Sequence, residues 1–173
     1  MQTRVTLRPY ELSDASELYA AVQESVSEVS RWLPWCHSDY SLTDAVSWIR
    51  ATRDGHARGT MYDFAIVDSS GRYVGACGIN AINAIDRFAN LGYWVRSSRT
   101  GEGIAPNAVR ELVSWTFSHT ALNRLEIVVA VGNTRSQRVA EKVGAQQDGV
   151  LRQRVFLQGR SCDAMMFSLV RSR

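Results

Sequence analysis

Apolar and polar positions along the chain change period several times, and the changes lay out its elements. Thr3–Arg8 alternates, with Val5 and Leu7 on one face, and predicts a first strand. Ser13 or Asp14 caps a helix running to about Val26, with Leu18, Ala21 and Val22 inward. Arg31–His37 is aromatic and broken by Pro34, and fits no regular element. A second helix follows from about Thr43 to His56, burying Val46 and Ile49. Tyr62–Asp68 and Arg72–Asn80 read as strands across the turn Ser69-Ser70-Gly71. Leu91–Val95 is another run of strand formers. A polar turn with Gly101 and Gly103 leads from it into a helix ending near His119, where Val109, Leu112, Val113, Thr116 and Phe117 fall at helical spacing. Leu125–Val131 is a β-branched strand, and Ser136–Val143 a short helix that Gly144 stops. Val150–Leu157 and Cys162–Val170 form a closing hairpin over Gln158-Gly159.

The order β-α-α-β-β-β-α-β-α-β-β defines the fold class. Strands joined by short turns are antiparallel, while the strand–helix–strand passage from Leu91 to Val131 predicts a right-handed parallel pair. The expected architecture is a mixed, mostly antiparallel sheet with helices on both faces, α/β or α+β according to scheme. At 173 residues the chain is expected to be one domain, 1–173. Hydrophobic content of 45% and charged content of 21% are ordinary for a globular protein, and the net charge of +3 is spread without like-charge blocks, against a nucleic-acid partner. Three cysteines without C-x-x-C spacing argue against a disulfide framework or a metal site and fit a reducing cytoplasm. No apolar run suits a signal peptide or a membrane span.

Chemistry concentrates first in L-G-Y-W-V-R-S-S-R-T-G-E-G-I-A-P, residues 91–106. A strand, a glycine turn and a helix start together hold anions, because the first N–H groups of a helix lack partners and carry partial positive charge. Pro106 suits a first helical turn, and Arg96 and Arg99 flank the loop. The inference is a diphosphate-bearing ligand on the turn from about Arg99 to Ala105. Gly103 is followed by Ile104 and Ala105 rather than Lys and Ser/Thr, which excludes a P-loop. Pro106 stands where a dinucleotide fingerprint needs its third glycine. A third pattern, Gln/Arg-x-x-Gly-x-Gly/Ala, fits Gly103 and Ala105. On these residues the chain resembles the GNAT acetyltransferase superfamily, whose order of elements is similar along nearly the whole chain.

That resemblance implies acetyl-CoA as cosubstrate, held by Arg99, Thr100, Gly101, Glu102, Gly103, Ile104 and Ala105. The pantetheine arm is implied to lie between splayed strands against main-chain groups near Trp94 and Val95. A second motif, Asn133 to Ala145, is similar to N-x-x-S-x-R-V-A-E-K-x-G-F of the ribosomal-protein N-terminal acetyltransferase branch. It implies that Asn133 bonds the pantetheine and that Ser136 stands by the sulfur as acid or hydrogen-bond donor to the leaving thiolate. Asn133 also suits a helix cap, and both roles can hold. Many relatives place a Tyr acid one turn on, where this chain has Ala140, leaving Ser136 as the hydroxyl to nominate. Arg31-Trp32-Leu33-Pro34-Trp35 resembles a Leu-Pro-Trp acceptor wall of the same branch. It suggests Trp32, Trp35 and Asn90 as acceptor-side residues, with core packing the alternative for one Trp.

The departures bear on the acceptor. The carboxylate positions used as general bases in the family are Asn90 and Val155 here, with His37 and Asp39 in reserve. A peptide α-amine, with a pKa near 7.7–8.0, is roughly one-tenth neutral at pH 7, whereas a lysine amine is neutral in about one molecule in 2,500. Missing bases therefore fit a protein or peptide N-terminus better than a lysine, by direct attack on the thioester. The alternatives are a small amine such as a polyamine, amino acid or antibiotic, or an acyl-CoA-binding module without catalysis. A homodimer is left open.

Overall fold

A computed structural model describes residues 4–172; Thr3, the expected start of the first strand, lies outside the described residues. The strands are β1 (Val5–Pro9), β2 (Tyr62–Asp68), β3 (Tyr73–Asn83), β4 (Phe88–Val95), β5 (Arg124–Ala130), β6 (Gln146–Leu157) and β7 (Arg160–Val170). The helices are α1 (Ala15–Val29), α2 (Leu42–Arg58), α3 (Ile104–His119) and α4 (Thr134–Lys142), with 3-10 turns at Leu12–Asp14 and Ser97–Arg99. The strands form one seven-stranded sheet in the order β1-β2-β3-β4-β5-β7-β6. All neighbours run antiparallel except β4 and β5, the expected parallel pair.

Side-chain alternation divides the sheet between two cores. Phe64 and Ile66 of β2 pack with Ile104, Ala108, Val109 and Leu112 of α3 and with Ala140 of α4. Ala65, one residue out of phase, packs with Leu18 and Val22 of α1 and Ala45 and Ile49 of α2. Helices therefore cover both faces, as the element order predicts. In β3 the phase changes at Gly75, where the register against β2 slips between Ile66 and Val67. Tyr73 and Ala76 face α1 and α2, whereas Val74, Cys77 and Ile79 face α3. Without that extra residue Cys77 and Ile79 would point at the wrong core.

Several boundaries move because tertiary contacts outrank local pattern. Helix α1 continues to Val29 rather than Val26, since Val26 and Val29 both pack on its core. Ser41 starts α2 through a reciprocal cap, accepting from the Asp44 N–H at 3.2 Å while Asp44 Oδ2 accepts from the Ser41 N–H at 2.8 Å. Asn133 caps α4, so that helix starts at Thr134 instead of Ser136. Gly144, at φ 82°, ends it as expected: Ala145 N–H reaches back to the Ala140 carbonyl at 3.0 Å. Strands β6 and β7 start earlier than Val150 and Cys162, at Gln146 and Arg160, because each completes the other's ladder.

The difference that matters most is in β4, which begins at Phe88 rather than Leu91. Phe88, Ala89 and Asn90 are the residues that pair with β5, opposite Arg124, Leu125 and Glu126. Beyond them the two strands part. Pairing with β3 holds β4 as far as Val95, and pairing with β7 holds β5 as far as Ala130. The result is a slot walled by two supported strands.

A Cβ at Gly75 would lie 2.2 Å from the Trp94 carbonyl oxygen and 2.9 Å from Val95 Cα. Gly75→Ala is therefore expected to push β3 off the free end of β4 and cost about 2–4 kcal/mol, read as a melting-temperature drop of roughly 5–15 °C. Asp63 of β2 lies over Gly78 with Oδ2 unpartnered, and burial pushes its carboxyl up to about 6. A folded pKa above the unfolded value means the folded state holds the proton more tightly. Stability from this group is thus lost as pH rises from about 4 to about 6, then stays level. Asp63→Asn should remove that slope and stabilise at pH 7 by on the order of 2 kcal/mol, measured by denaturant titration across pH.

Candidate active site

Two loops meet at the open end of the slot. The first runs from Arg96 through the 3-10 turn to Gly103, which caps α3 at φ 77°, a left-handed conformation that glycine adopts at no steric cost. This leaves the N–H groups of the first turn of α3 facing the loop. Helix α1 clamps the approach. Ser25 Oγ accepts from the Ser97 N–H at 3.0 Å, and Glu24 accepts from the Ser98 hydroxyl at 2.7 Å and from Arg96 Nε at 3.0 Å. The Arg96 hydrogen bonds, more than any other contact, hold the Glu24 carboxyl down at about 2.

Arg99 does not present its charge to a phosphate. Its Nε and Nη2 donate to the two oxygens of Glu102 at 2.8 and 3.0 Å, and its Nη1 donates to Asp68 Oδ2 at 2.8 Å. Two carboxylates neutralise the guanidinium in a forked geometry, which makes it a brace for the turn. Glu102 is likewise committed to Arg99 and, unlike Thr100, Gly101, Gly103, Ile104 and Ala105, does not line the cavity. The cations that do line it beyond Arg99 are Arg135, Arg138 and Lys142 on α4. Sequence reasoning passed over them, although Arg138 and Lys142, four apart in the Asn133–Ala145 motif, already marked one helix face.

The slot opens into a cavity of about 690 Å³, within the range of small-molecule sites. Arg96 N–H donates to the Val74 carbonyl at 3.0 Å, and Val95 and Trp94 stand opposite Gly75 and Ala76. Strand alternation then turns the main chain of Trp94 toward β3, and those of Tyr93 and Val95 into the slot. The expectation that Trp94 offers free main-chain groups is corrected accordingly. Its ring lies on the α1 side, 5.4 Å from the Trp35 ring.

On the opposite wall the second loop delivers α4. Asn133 Oδ1 accepts from the Ser136 N–H at 3.2 Å, so capping uses the oxygen and leaves the amide NH2 to donate. Tyr93 Oη lies 2.9 Å from both the Ser136 carbonyl and Ser136 Oγ. A carbonyl only accepts; Tyr93 therefore donates to it, and Ser136 Oγ–H donates to Tyr93. Burial pushes the Tyr93 hydroxyl up to about 12, so it keeps its proton at neutral pH. Tyr93 is a second hydroxyl that the sequence alone did not nominate. Its position two residues before Val95 gave its facing, but nothing in the linear pattern said that α4 would meet it.

At the acceptor end Trp32, Leu33, Asn90, Val155 and Leu157 line the cavity. Asn90 sits where the strands still pair, its Nδ2 donating to Asn80 Oδ1 at 3.1 Å. Trp35 is absent from the lining and packs against Trp94 and Tyr40, which corrects its assignment as an acceptor wall. The reserve bases His37 and Asp39 also lie outside the lining, with the His37 ring set edgewise on Tyr40.

A glycine-capped helix start, a slot between parting parallel strands and hydroxyls at its far wall make this a site for a nucleotide thioester. Residues 4–146 match the acetyltransferase (GNAT) domain family, and the chain belongs to it. The ribosomal-protein-serine acetyltransferase of Escherichia coli (strain K12) is 26% identical over 172 residues, covering 92% of this chain and 94% of that one. Among solved structures, Mycobacterium smegmatis RimJ in complex with CoA-disulfide is similar at a TM-score of 0.89 and 29% identity, over 96% of this chain and 81% of that one. The microcin C7 self-immunity acetyltransferase MccE, in complex with acetyl-CoA and AMP, is similar at 0.90 and 25%, over 96% and 92%. The protein is an acetyl-CoA-dependent N-acetyltransferase.

Ser136→Ala is expected to lower kcat by about 10²-fold while CoA affinity by calorimetry changes less than about threefold, the pattern of a lost proton donor. Tyr93→Phe should give a smaller drop in kcat, since Ser136 keeps its hydroxyl but loses its acceptor.

Proposed function

We propose that the acceptor is the N-terminal α-amine of a protein or peptide, and that residues 1–173 form a single acetyltransferase domain acting in the cytoplasm. The observation that carries this reading is the uncharged character of Asn90 and Val155 at the acceptor end of the cavity. With no base at those positions, the amine that attacks must reach its neutral form unaided, which a terminal amine does in an appreciable fraction and a lysine does not.

In this reading the diphosphate of acetyl-CoA rests on the N–H groups at the start of α3, and Arg138 and Lys142 supply the positive charge that Arg99 does not. The arm threads the slot, bonded by the outward main chain of β4 and by the Asn133 amide. The amine nitrogen attacks the thioester carbonyl. The N–C bond forms, an outward N–H of β4 stabilises the oxyanion, and the C–S bond then breaks. The thiolate takes a proton from Ser136, whose hydroxyl turns from Tyr93 to the sulfur, and the proton lost by the amine returns through water to restore the Ser136 hydroxyl.

The test is CoA release at pH 7 with three acceptors: a Ser- or Ala-initiated peptide without lysine, an N-acetylated peptide with one lysine, and spermidine. The α-amine peptide should be turned over at least about tenfold faster, and the gap to lysine should narrow toward pH 10 as the lysine amine becomes neutral. Equal or faster turnover of lysine or spermidine at pH 7 overturns the reading.

A further inference from the structure

Glu28 and Arg135 meet at the mouth of the slot, Oε2 to Nη1 at 2.8 Å. They come from opposite sides of the sheet: Glu28 from the last turn of α1, and Arg135 from the first turn of α4. The flanking apolar residues of these helices belong to the two separate cores, Val26 and Val29 to one, Val139 and Ala140 to the other. Side chains from the two faces touch where no strand stands between them, so this pair bars the gap left by β4 and β5.

Both residues line the cavity, and among the described lining residues Glu28 is the carboxylate. It stands one turn from Trp32 and Leu33 at the acceptor end, while Arg135 adjoins Ser136. The side chains are 48% and 75% exposed, so the pair holds no core together. Exposed ion pairs of this kind are weak and exchange readily with another cation. With Asn90 and Val155 uncharged, Glu28 is the lining group suited to receive a protonated amine.

We propose that Glu28 docks the ammonium group of the acceptor, which gains access by displacing Arg135; the ion pair is a displaceable bar across the acceptor mouth. No covalent bond changes in this step. The docked ammonium then loses its proton to water, and the neutral amine goes on to attack. The proposal rests on the slot being the transfer site, as read above, and holds whichever primary amine the enzyme prefers.

The test is initial-rate kinetics of wild type, Glu28→Gln, Arg135→Ala and the double variant, using the acceptor that wild type turns over best among the peptides and spermidine. Glu28→Gln should raise the acceptor KM about tenfold while the acetyl-CoA KM and CoA affinity stay within about twofold, the latter also reporting folding. Arg135→Ala should lower the acceptor KM severalfold when Glu28 is present and leave it unchanged in the Glu28→Gln background. An acceptor KM unmoved by Glu28→Gln, or an Arg135→Ala effect that persists without Glu28, overturns the proposal. Preference for spermidine over peptide would sink the assignment to an α-amine and leave this inference standing.

Discussion

The parting of β4 from β5 after Asn90 and Glu126 is the constraint on which the rest of the structure depends. A sheet that zipped these strands to their ends would satisfy more backbone groups but leave no room for a ligand. Here each strand keeps its outer neighbour, β3 for one and β7 for the other, so the backbone cost of opening falls on the inner edges alone. Those exposed edges are what a pantetheine arm can use. In the proposed reading, the unsatisfied groups that would be a liability elsewhere become the binding surface.

The elements around the slot are fixed by a chain of contacts that begins well away from it. Gly75 shifts the phase of β3, which sets how β4 lies and so which of its residues look inward. Glu24 and Ser25 of α1 grip the start of the turn, while Asp68 at the end of β2 and Glu102 grip Arg99 in its middle. The turn is held by one helix, one strand and its own Glu102 before any nucleotide arrives. Rigid positioning of this sort commits the arginine charge to structure, and in the proposed reading phosphate recognition falls to backbone amides and to the cations of α4.

The chemistry follows the same division. Ser136 and Tyr93 come from different walls and are joined by hydrogen bonds that fix the direction of both protons. Burial keeps Tyr93 protonated, so the pair is unsuited to taking a proton from an amine. In the proposed reading, Asn90 and Val155 in place of carboxylates leave the site to rely on the acceptor's own acidity.

By itself the sequence determined the order of elements, the turn from Arg99 to Ala105, the cap at Asn133 and the stop at Gly144, because each depends on near neighbours in the chain: periodicity, glycine conformation, a side chain reaching its own helix. It also placed Ser136 in the helix that is α4. Only the tertiary structure decided that Arg99 is consumed by Glu102 and Asp68, that Trp35 packs away from the cavity, and that Trp94 turns its main chain toward β3. It alone brought Tyr93 to Ser136 and Glu28 to Arg135, residues 43 and 107 positions apart. Such pairings arise from the twist and register of the sheet, which sum contributions from all seven strands and leave no local trace along the chain.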